Sequence, residues 1–287
     1  MIWVQSRYPR YMFIQKSALI NVATNACFNT ARNILRDFNE ISFLKSNRSL
    51  DDFTQTTRVR AISTIKDELL KSNPGHGILT NNEVIKESET GLTWAINPID
   101  CISNFMHCLP FFGICITLID QSSINKSSKK DESDNQSRSG ITDYGSSNTS
   151  NHAIPNAMLD ASAKDIIDYN VLAAIFYDPI RDETFWAEKN SGAYLNSKKL
   201  TLISNSQMQI KLNQKEVDIL KLNAGCSKSA NRNFGSSVMH MAYVAAKRID
   251  SAIEQIDDIA NICAGKLLVQ EAKRTIKYNN GIITASR

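Results

Sequence analysis

The chain lacks any apolar run long enough to cross a bilayer. The longest candidate, Phe111 to Ile119, falls well short of the roughly 18 residues a membrane helix needs and reads as a buried strand. It lacks a charged segment followed by an apolar one at Met1-Ile2-Trp3-Val4, so no secretory signal is expected. Six cysteines (27, 101, 108, 115, 226 and 263) include no CxxC pair, which removes zinc-ribbon spacing. Without a secretion signal they are expected to be reduced thiols in a cytoplasmic chain. A strong charge of one sign is also missing: a net charge of +4 on 287 residues argues for no obligate nucleic-acid role and excludes none. No two histidines stand at metal-ligand spacing, so His76 and His107 read as structural or surface residues and His240, beside Met239 and Met241, as packing.

What is present is a mixed pattern of helices and strands. Apolar positions at helical spacing predict a helix over Lys16 to Phe38 (Ala18, Leu19, Val22, Ala23, Ala26, Ala31, Ile34, Leu35) and another over Thr57 to Ser72 (Val59, Ile62, Ile65, Leu69, Leu70), stopped by Asn73-Pro74-Gly75. Strands are expected at His76 to Leu79, Thr93 to Ile96 and Phe111 to Asp120, with Asn97-Pro98 breaking the second because proline has no ladder donor. Val171 to Tyr177 and Glu183 to Ala187 read as a hairpin around Asp178-Pro179. A strand-like Gly192 to Asn196, helices over Val238 to Lys247 and Ala260 to Ala272, and short strands at Ile249 to Ile253 and Gly281 to Ala285 complete the pattern. Residues 1–16 read as an extension, with Met12 an alternative start. Residues 17–287 read as a single domain, interrupted at about 121–160 by a Ser-, Asn- and Lys-rich insertion whose composition cannot bury enough surface to fold. The fold class is α/β (α+β), layered.

The most informative stretch is Trp94-Ala95-Ile96-Asn97-Pro98-Ile99-Asp100-Cys101-Ile102-Ser103-Asn104-Phe105. A strand that breaks into a short turn can aim carboxylates and backbone N–H groups at one point, where a cation and a phosphate are held together. This stretch resembles the inositol monophosphatase signature W-x-I-D-P-[IL]-D-G-T-x-N-F, continued by His107, Pro110 and Phe111. Further segments follow in the family's order. Asp52-Phe53 is similar to its D-F-V-T-x-x-D, and the strand at His76 leads to Asn81-Asn82-Glu83 where the family has Glu-Glu. Tyr177-Asp178-Pro179 is followed by Gly192 to Asn196. Gly235-Ser236-Ser237 through Ala246 is similar to its G-S-A-A-L-x-x-A-Y-V-A-A-G helix, and Asp250 to Glu254 followed by Ala264-Gly265 is similar to its D-x-x-x-E and W-D-x-A-A-G segment. The resemblance covers roughly residues 17 to 287 and implies the layered α-β-α-β-α sandwich of the inositol monophosphatase and sugar phosphatase type.

The resemblance also implies Mg²⁺-dependent hydrolysis of inositol or sugar monophosphates, in which clustered carboxylates hold two or three Mg²⁺ ions that polarise the phosphate and activate a water. Against that pattern the chain departs. The metal positions fall on Asn81, Asn97, Ile99, Asp100 and Asn261, and the water-activating acid falls on Arg58. The Gly-Thr of the signature falls on Cys101-Ile102, so the catalytic positions are Asp100, Ile102 and Arg58. Of the acids implied at 58, 81, 97, 100 and 261, Asp100 alone is kept, and a cation is gained. Glu83, two residues beyond Asn81, and Asp257 and Asp258, about one helical turn before Asn261, are the acids placed to rebuild part of a site. Substrate contacts are implied at Cys101, Ile102, Gly235, Ser236, Ser237 and Glu254, although a helix-start turn explains Gly235 to Ser237 equally well. The implied partner is a small phosphorylated polyol or sugar. A homodimer is compatible with the resemblance, and no membrane partner is expected. Some bacterial relatives act with the transcription machinery, which keeps a transcription-complex or nucleic-acid partner open. Two functions therefore stand: a catalytically weak or inactive family member, and a working phosphatase using Asp100, Glu83 and Asn oxygens.

Overall fold

The computed structural model describes residues 16–41, 43, 47–80, 83–121, 163–200, 233–256, 258–279 and 281–286. Residues 1–15 of the N-terminal extension, nearly all of the Ser-rich insertion, Asn81 and Asp257 lie outside the described residues.

Two long helices come first, α1 (Ala18–Ile41) and α2 (Asn47–Ser72). Ser17 starts α1 by accepting the Ile20 N–H on its hydroxyl at 3.2 Å. The buried stripe of α1 runs through Ile20, Ala23, Cys27, Ala31 and Ile34 at steps of three and four. Helix α2 begins ten residues earlier than its apolar periodicity predicts. Its buried face continues backwards from Ile65 and Ala61 through two threonines, Thr57 and Thr54, which a search for apolar residues passes over. Each of these faces is polar by residue type yet closed by a bond: Thr57 Oγ1 donates to Asp37 of α1 at 2.7 Å, and Thr54 Oγ1 donates to the Leu50 carbonyl.

The strands β1 (Gly77–Leu79), β2 (Val84–Lys86), β3 (Leu92–Asp100), β4 (Gly113–Asp120), β5 (Asn170–Asp178), β6 (Glu183–Glu188), β7 (Gly192–Leu195) and β8 (Lys198–Lys199) form one sheet, ordered β2-β1-β3-β4-β5-β6-β7-β8. The β1–β3 pair is parallel, and the others are antiparallel. Contrary to the expectation that Pro98 ends it, β3 runs through the proline to Asp100. The ladder accommodates this with an irregularity: Asn97 pairs with Cys115 and Asp100 with Gly113, so an extra residue bulges between them and proline's missing donor goes unneeded. The short helix α3 (Ile102–Met106) follows at once.

Beyond the sheet lie α4 (Ala163–Asp168), α5 (Ser237–Ala245) and α6 (Ile259–Glu271), then a small antiparallel sheet β10 (Thr275–Asn279), β11 (Ile282–Ser286) and β9 (Ser251–Gln255) in that order. Side chains alternate across the large sheet. Trp94, Ile96, Ile114, Ile116 and Leu118 face α1 and α2, with Phe105 and Phe112. Ala95, Cys115, Ile119, Phe176 and Phe185 face α5 and α6, whose far side meets Ala252, Ile283 and Ala285 of the small sheet. Helices α5 and α6 pack closely because Gly265 leaves room: a Cβ there would sit 2.1 Å from the Met241 methyl. The described residues thus stack as helix pair, sheet, helix pair and sheet, a mixed α/β sandwich as expected.

Candidate functional site

The signature strand ends where three chain segments converge. β3 delivers Asn97 and Asp100, the turn before α5 delivers Ser236, and the start of α6 delivers Asp258 and Asn261. The local causes are ordinary ones. Ser236 is the N-cap of α5, its hydroxyl accepting the Met239 N–H at 3.0 Å. Asp258 is the N-cap of α6, accepting the Asn261 N–H at 3.0 Å. Capping places both side chains at helix starts, beside the end of β3. Gly235, at φ +78°, makes the turn and lies so close to Cys101 that a Cβ would stand 2.8 Å from its Sγ. Asn104 of α3 ties the same turn down, donating to the carbonyls of Phe111 (2.7 Å) and Phe234 (2.6 Å).

Asp100 is buried, 3% exposed. One carboxylate oxygen receives the Asn261 amide Nδ2 at 2.7 Å, and the other receives the Ser236 hydroxyl in a short bond. The Asn97 amide Nδ2 is shared between Asp258 Oδ2 (3.3 Å) and Asn261 Oδ1 (3.4 Å). Behind this cluster on β4, the Cys115 and Thr117 side chains both donate to the Ala260 carbonyl, at 3.4 and 3.0 Å. Burial pushes the Cys115 thiol well above its usual range, and the charges of Asp100 and Asp258 push it further. The Cys101 thiol is raised mainly by burial, against a lowering contribution from the Asn104 backbone.

The sequence-predicted residues divide. Asn97, Asp100, Asn261 and Ser236 come together, and Asp258, one of the acids named as a replacement, joins them. Ser237, the first residue of α5, is buried beside them. Cys101 is the left-handed residue (φ 58°) that starts α3. Ile102 instead turns to the core under α1 and α2, and the Ile99 side chain is buried in that same core. Glu83 is exposed on the loop entering β2, its backbone carbonyl and N–H bonded to Thr80. Arg58 is half-buried on α2, and among the described residues no ion pair links it to the cluster. Glu254 is engaged elsewhere: His240 Nδ1 stands 2.7 Å from its Oε1, while His240 Nε2 accepts the Phe234 N–H at 2.9 Å. Because Nε2 accepts, Nδ1 carries the proton and donates to Glu254. His240 is therefore a bonded link between α5, β9 and the Gly235 turn rather than apolar packing. Nothing in the sequence signals that pair, whose members lie on different elements. Asp258 was more legible, since an aspartate three residues before an inward-facing position is a helix-start pattern.

Among the described residues no group of three or more His, Cys, Asp or Glu side chains stands close enough to hold a metal ion. Two surface cavities, of about 380 Å³ beside Lys266 and Tyr278 and about 320 Å³ beside Lys16 and Trp186, are lined by none of the cluster residues. No helix among the described residues is long and apolar enough to cross a membrane.

The fold agrees with what this chain is similar to. An inositol-1-monophosphatase of Rhizobium meliloti is 25% identical over 270 residues, spanning 90% of this chain and 84% of the relative. The Nus factor SuhB of Escherichia coli is 24% identical over 270 residues, spanning 88% and 82%. Among solved structures, the extragenic suppressor protein suhB of Bartonella henselae superposes with a TM-score of 0.66 at 23% identity, covering 94% of each chain. Inositol monophosphatase-II of Staphylococcus aureus gives 0.62 at 18%, covering 94% and 91%. A sequence model of the inositol monophosphatase family matches residues 15–125 and 166–278. The chain belongs to the inositol monophosphatase family.

Proposed function

We propose that this chain is a family member with little or no Mg²⁺-dependent phosphatase activity, whose remaining role is in binding. One observation carries the reading: the Asn261 amide donates to Asp100 at 2.7 Å. A metal ligand must present lone pairs to the ion, and this side chain presents a proton. Asn97 does the same toward Asp258.

The residues present do not fit Mg²⁺. That ion dehydrates reluctantly and demands near-ideal octahedral oxygen ligation, usually anionic. Here two carboxylates, Asp100 and Asp258, meet two amides, and Asp258 spends one oxygen on its own helix start. Rotating the amides to offer oxygen would break their bonds to both acids and still supply no charge. Each missing carboxylate costs at least about a few kcal/mol of metal affinity in a partly buried site. Ile102 brings no hydroxyl to the position where the family has threonine, and Arg58 brings a cation where it has an acid. Relatives of two kinds share this fold, one named inositol-1-monophosphatase and one named Nus factor SuhB. The substituted centre aligns this chain with binding rather than turnover, of a small phosphorylated polyol or of a macromolecular partner.

The test is direct. Purified protein with inositol 1-phosphate and millimolar Mg²⁺ is expected to release no phosphate above an Asp100→Ala control. Mg²⁺-dependent turnover that Asp100→Ala abolishes would overturn the reading in favour of a working enzyme using Asp100 and Glu83.

A further inference from the structure

The cluster is a cross-link as well as a former reaction centre. Its bonds join residues 136 to 164 positions apart: Ser236 to Asp100, Asn261 to Asp100, and Asn97 to Asp258 and Asn261. They connect the end of the central strand β3 to the starts of α5 and α6. In a centre built from carboxylates alone, like charges converge only if a cation holds them, so the cation is part of the fold.

We propose that Asn97 and Asn261 form a metal-free latch, taking over from a divalent ion the task of closing β3 onto α6. The inference rests on the loss of metal binding proposed above. The chemistry of the amide explains why asparagine stands at both places. An ionised aspartate only accepts hydrogen bonds, whereas an asparagine donates and accepts. Asn261 uses both capacities: Nδ2 donates to Asp100, and Oδ1 accepts from Asn97. Asn97 then reaches the second surviving acid, Asp258, which in turn accepts the Asn261 backbone N–H. Each substituted residue therefore supplies the donor that one remaining acid needs. With aspartate at 261, two carboxylate oxygens would face each other at the 2.7 Å now spanned by a hydrogen bond. With aspartate at 97, the same conflict would arise with Asp258 Oδ2. An exchange for alanine or serine at either site would offer no such complementarity, because neither spans the gap with both a donor and an acceptor.

Thermal unfolding of the full chain tests the latch, in EDTA and in millimolar MgCl₂ at matched ionic strength. The wild-type midpoint is expected to agree within about 1 °C between the two buffers. Asn97→Asp/Asn261→Asp is expected to unfold roughly 5 °C or more lower in EDTA and to regain much of that loss in MgCl₂, because a bound ion stabilises by mass action. Asn261→Ala, which offers neither a donor nor a ligand, is expected to lose stability equally in both buffers. A wild type stabilised by several degrees in MgCl₂ overturns the latch, and so does a double aspartate variant as stable as wild type in EDTA. If the double variant does not fold in EDTA, the wild type and Asn261→Ala decide: equal loss for Asn261→Ala in both buffers supports the latch, and no loss overturns it. The phosphatase assay separates this from the functional reading. An active wild type with a metal-independent midpoint sinks the inactive reading alone, and an inactive wild type with a metal-dependent midpoint sinks the latch alone.

Discussion

Among the described residues Asp37, Asp100 and Asp178 are almost completely buried, and the first two, at 1% and 3% exposure, are held by different kinds of partner. Asp37, on α1, receives the Thr57 hydroxyl at 2.7 Å and the guanidinium of Arg60 at 2.6 Å, with Arg36 at 3.1 Å on its other oxygen. Its charge is met by cations whose far ends reach water. Asp100 receives the Asn261 amide on one oxygen and the Ser236 hydroxyl on the other. The first is the usual solution for a structural carboxylate, since burying a charge is costly unless it is paired. Ion pairs thus meet Asp37 between the two long helices, and an amide and a hydroxyl meet Asp100 at the end of the signature strand.

That contrast is broken most forcefully at Asp37. Asp37→Ala removes the acceptor for Thr57 and the partner of two arginines. Deleting one member of a fully buried pair costs about 3–5 kcal/mol. Arg60 and Arg36 are 44% and 52% exposed and can rehydrate, so a smaller loss of about 2 kcal/mol is expected in urea unfolding. A loss under about 0.5 kcal/mol, the level of an ordinary surface change, would show that the α1–α2 network adds little.

Asn261→Ala comes next. It removes one hydrogen-bond donor from a buried carboxylate, an expected cost of about 1–2 kcal/mol. The start of α6 is spared, because Asp258 caps through the backbone N–H of residue 261, which alanine keeps. Unfolding curves for the two alanine variants, run side by side, measure how far neutral donors have replaced charge.

How much of this was legible beforehand depends on what carried the signal. The motif order from Trp94 to Gly265 made the layered fold readable. Apolar periodicity located α1, α2 from Thr57 to its end, and α6, because their buried faces are made largely of Ile, Leu and Ala, although Val59, read as part of that face, is 65% exposed. It missed the first ten residues of α2, where threonine and its hydrogen bonds do the burying. Pro98 was read as a strand end, because one missing donor counts heavily in a sequence, whereas a bulge in β3 itself removes the need for it. At the site, residue types were legible and their mutual geometry was not. Four lost acids, one of them replaced by an arginine, could be counted, but which way an amide points depends on neighbours more than a hundred residues away. The engagement of Glu254 by His240 was hidden for the same reason.

The finest test is Asp100→Asn, which removes the charge and keeps the shape. Asparagine at 100 still offers an oxygen to the Asn261 amide. Its own NH₂ can donate to the Ser236 oxygen, which has two lone pairs and uses one for the Met239 N–H. The buried charge disappears, which offsets the weaker neutral hydrogen bonds that replace charge-assisted ones. The expected change is within about 0.5 kcal/mol of zero, comparable to a surface substitution. Asp37→Asn should cost more, about 1 kcal/mol, since it strands two arginines that an amide oxygen satisfies poorly. The order of the two isosteric variants, rather than either value alone, is the quantity to read. If Asp100→Asn proves the more damaging, then the charge at position 100 is still compensated by a cation in the working protein, and the difference between the two buried aspartates lies in the source of that cation and not in its loss.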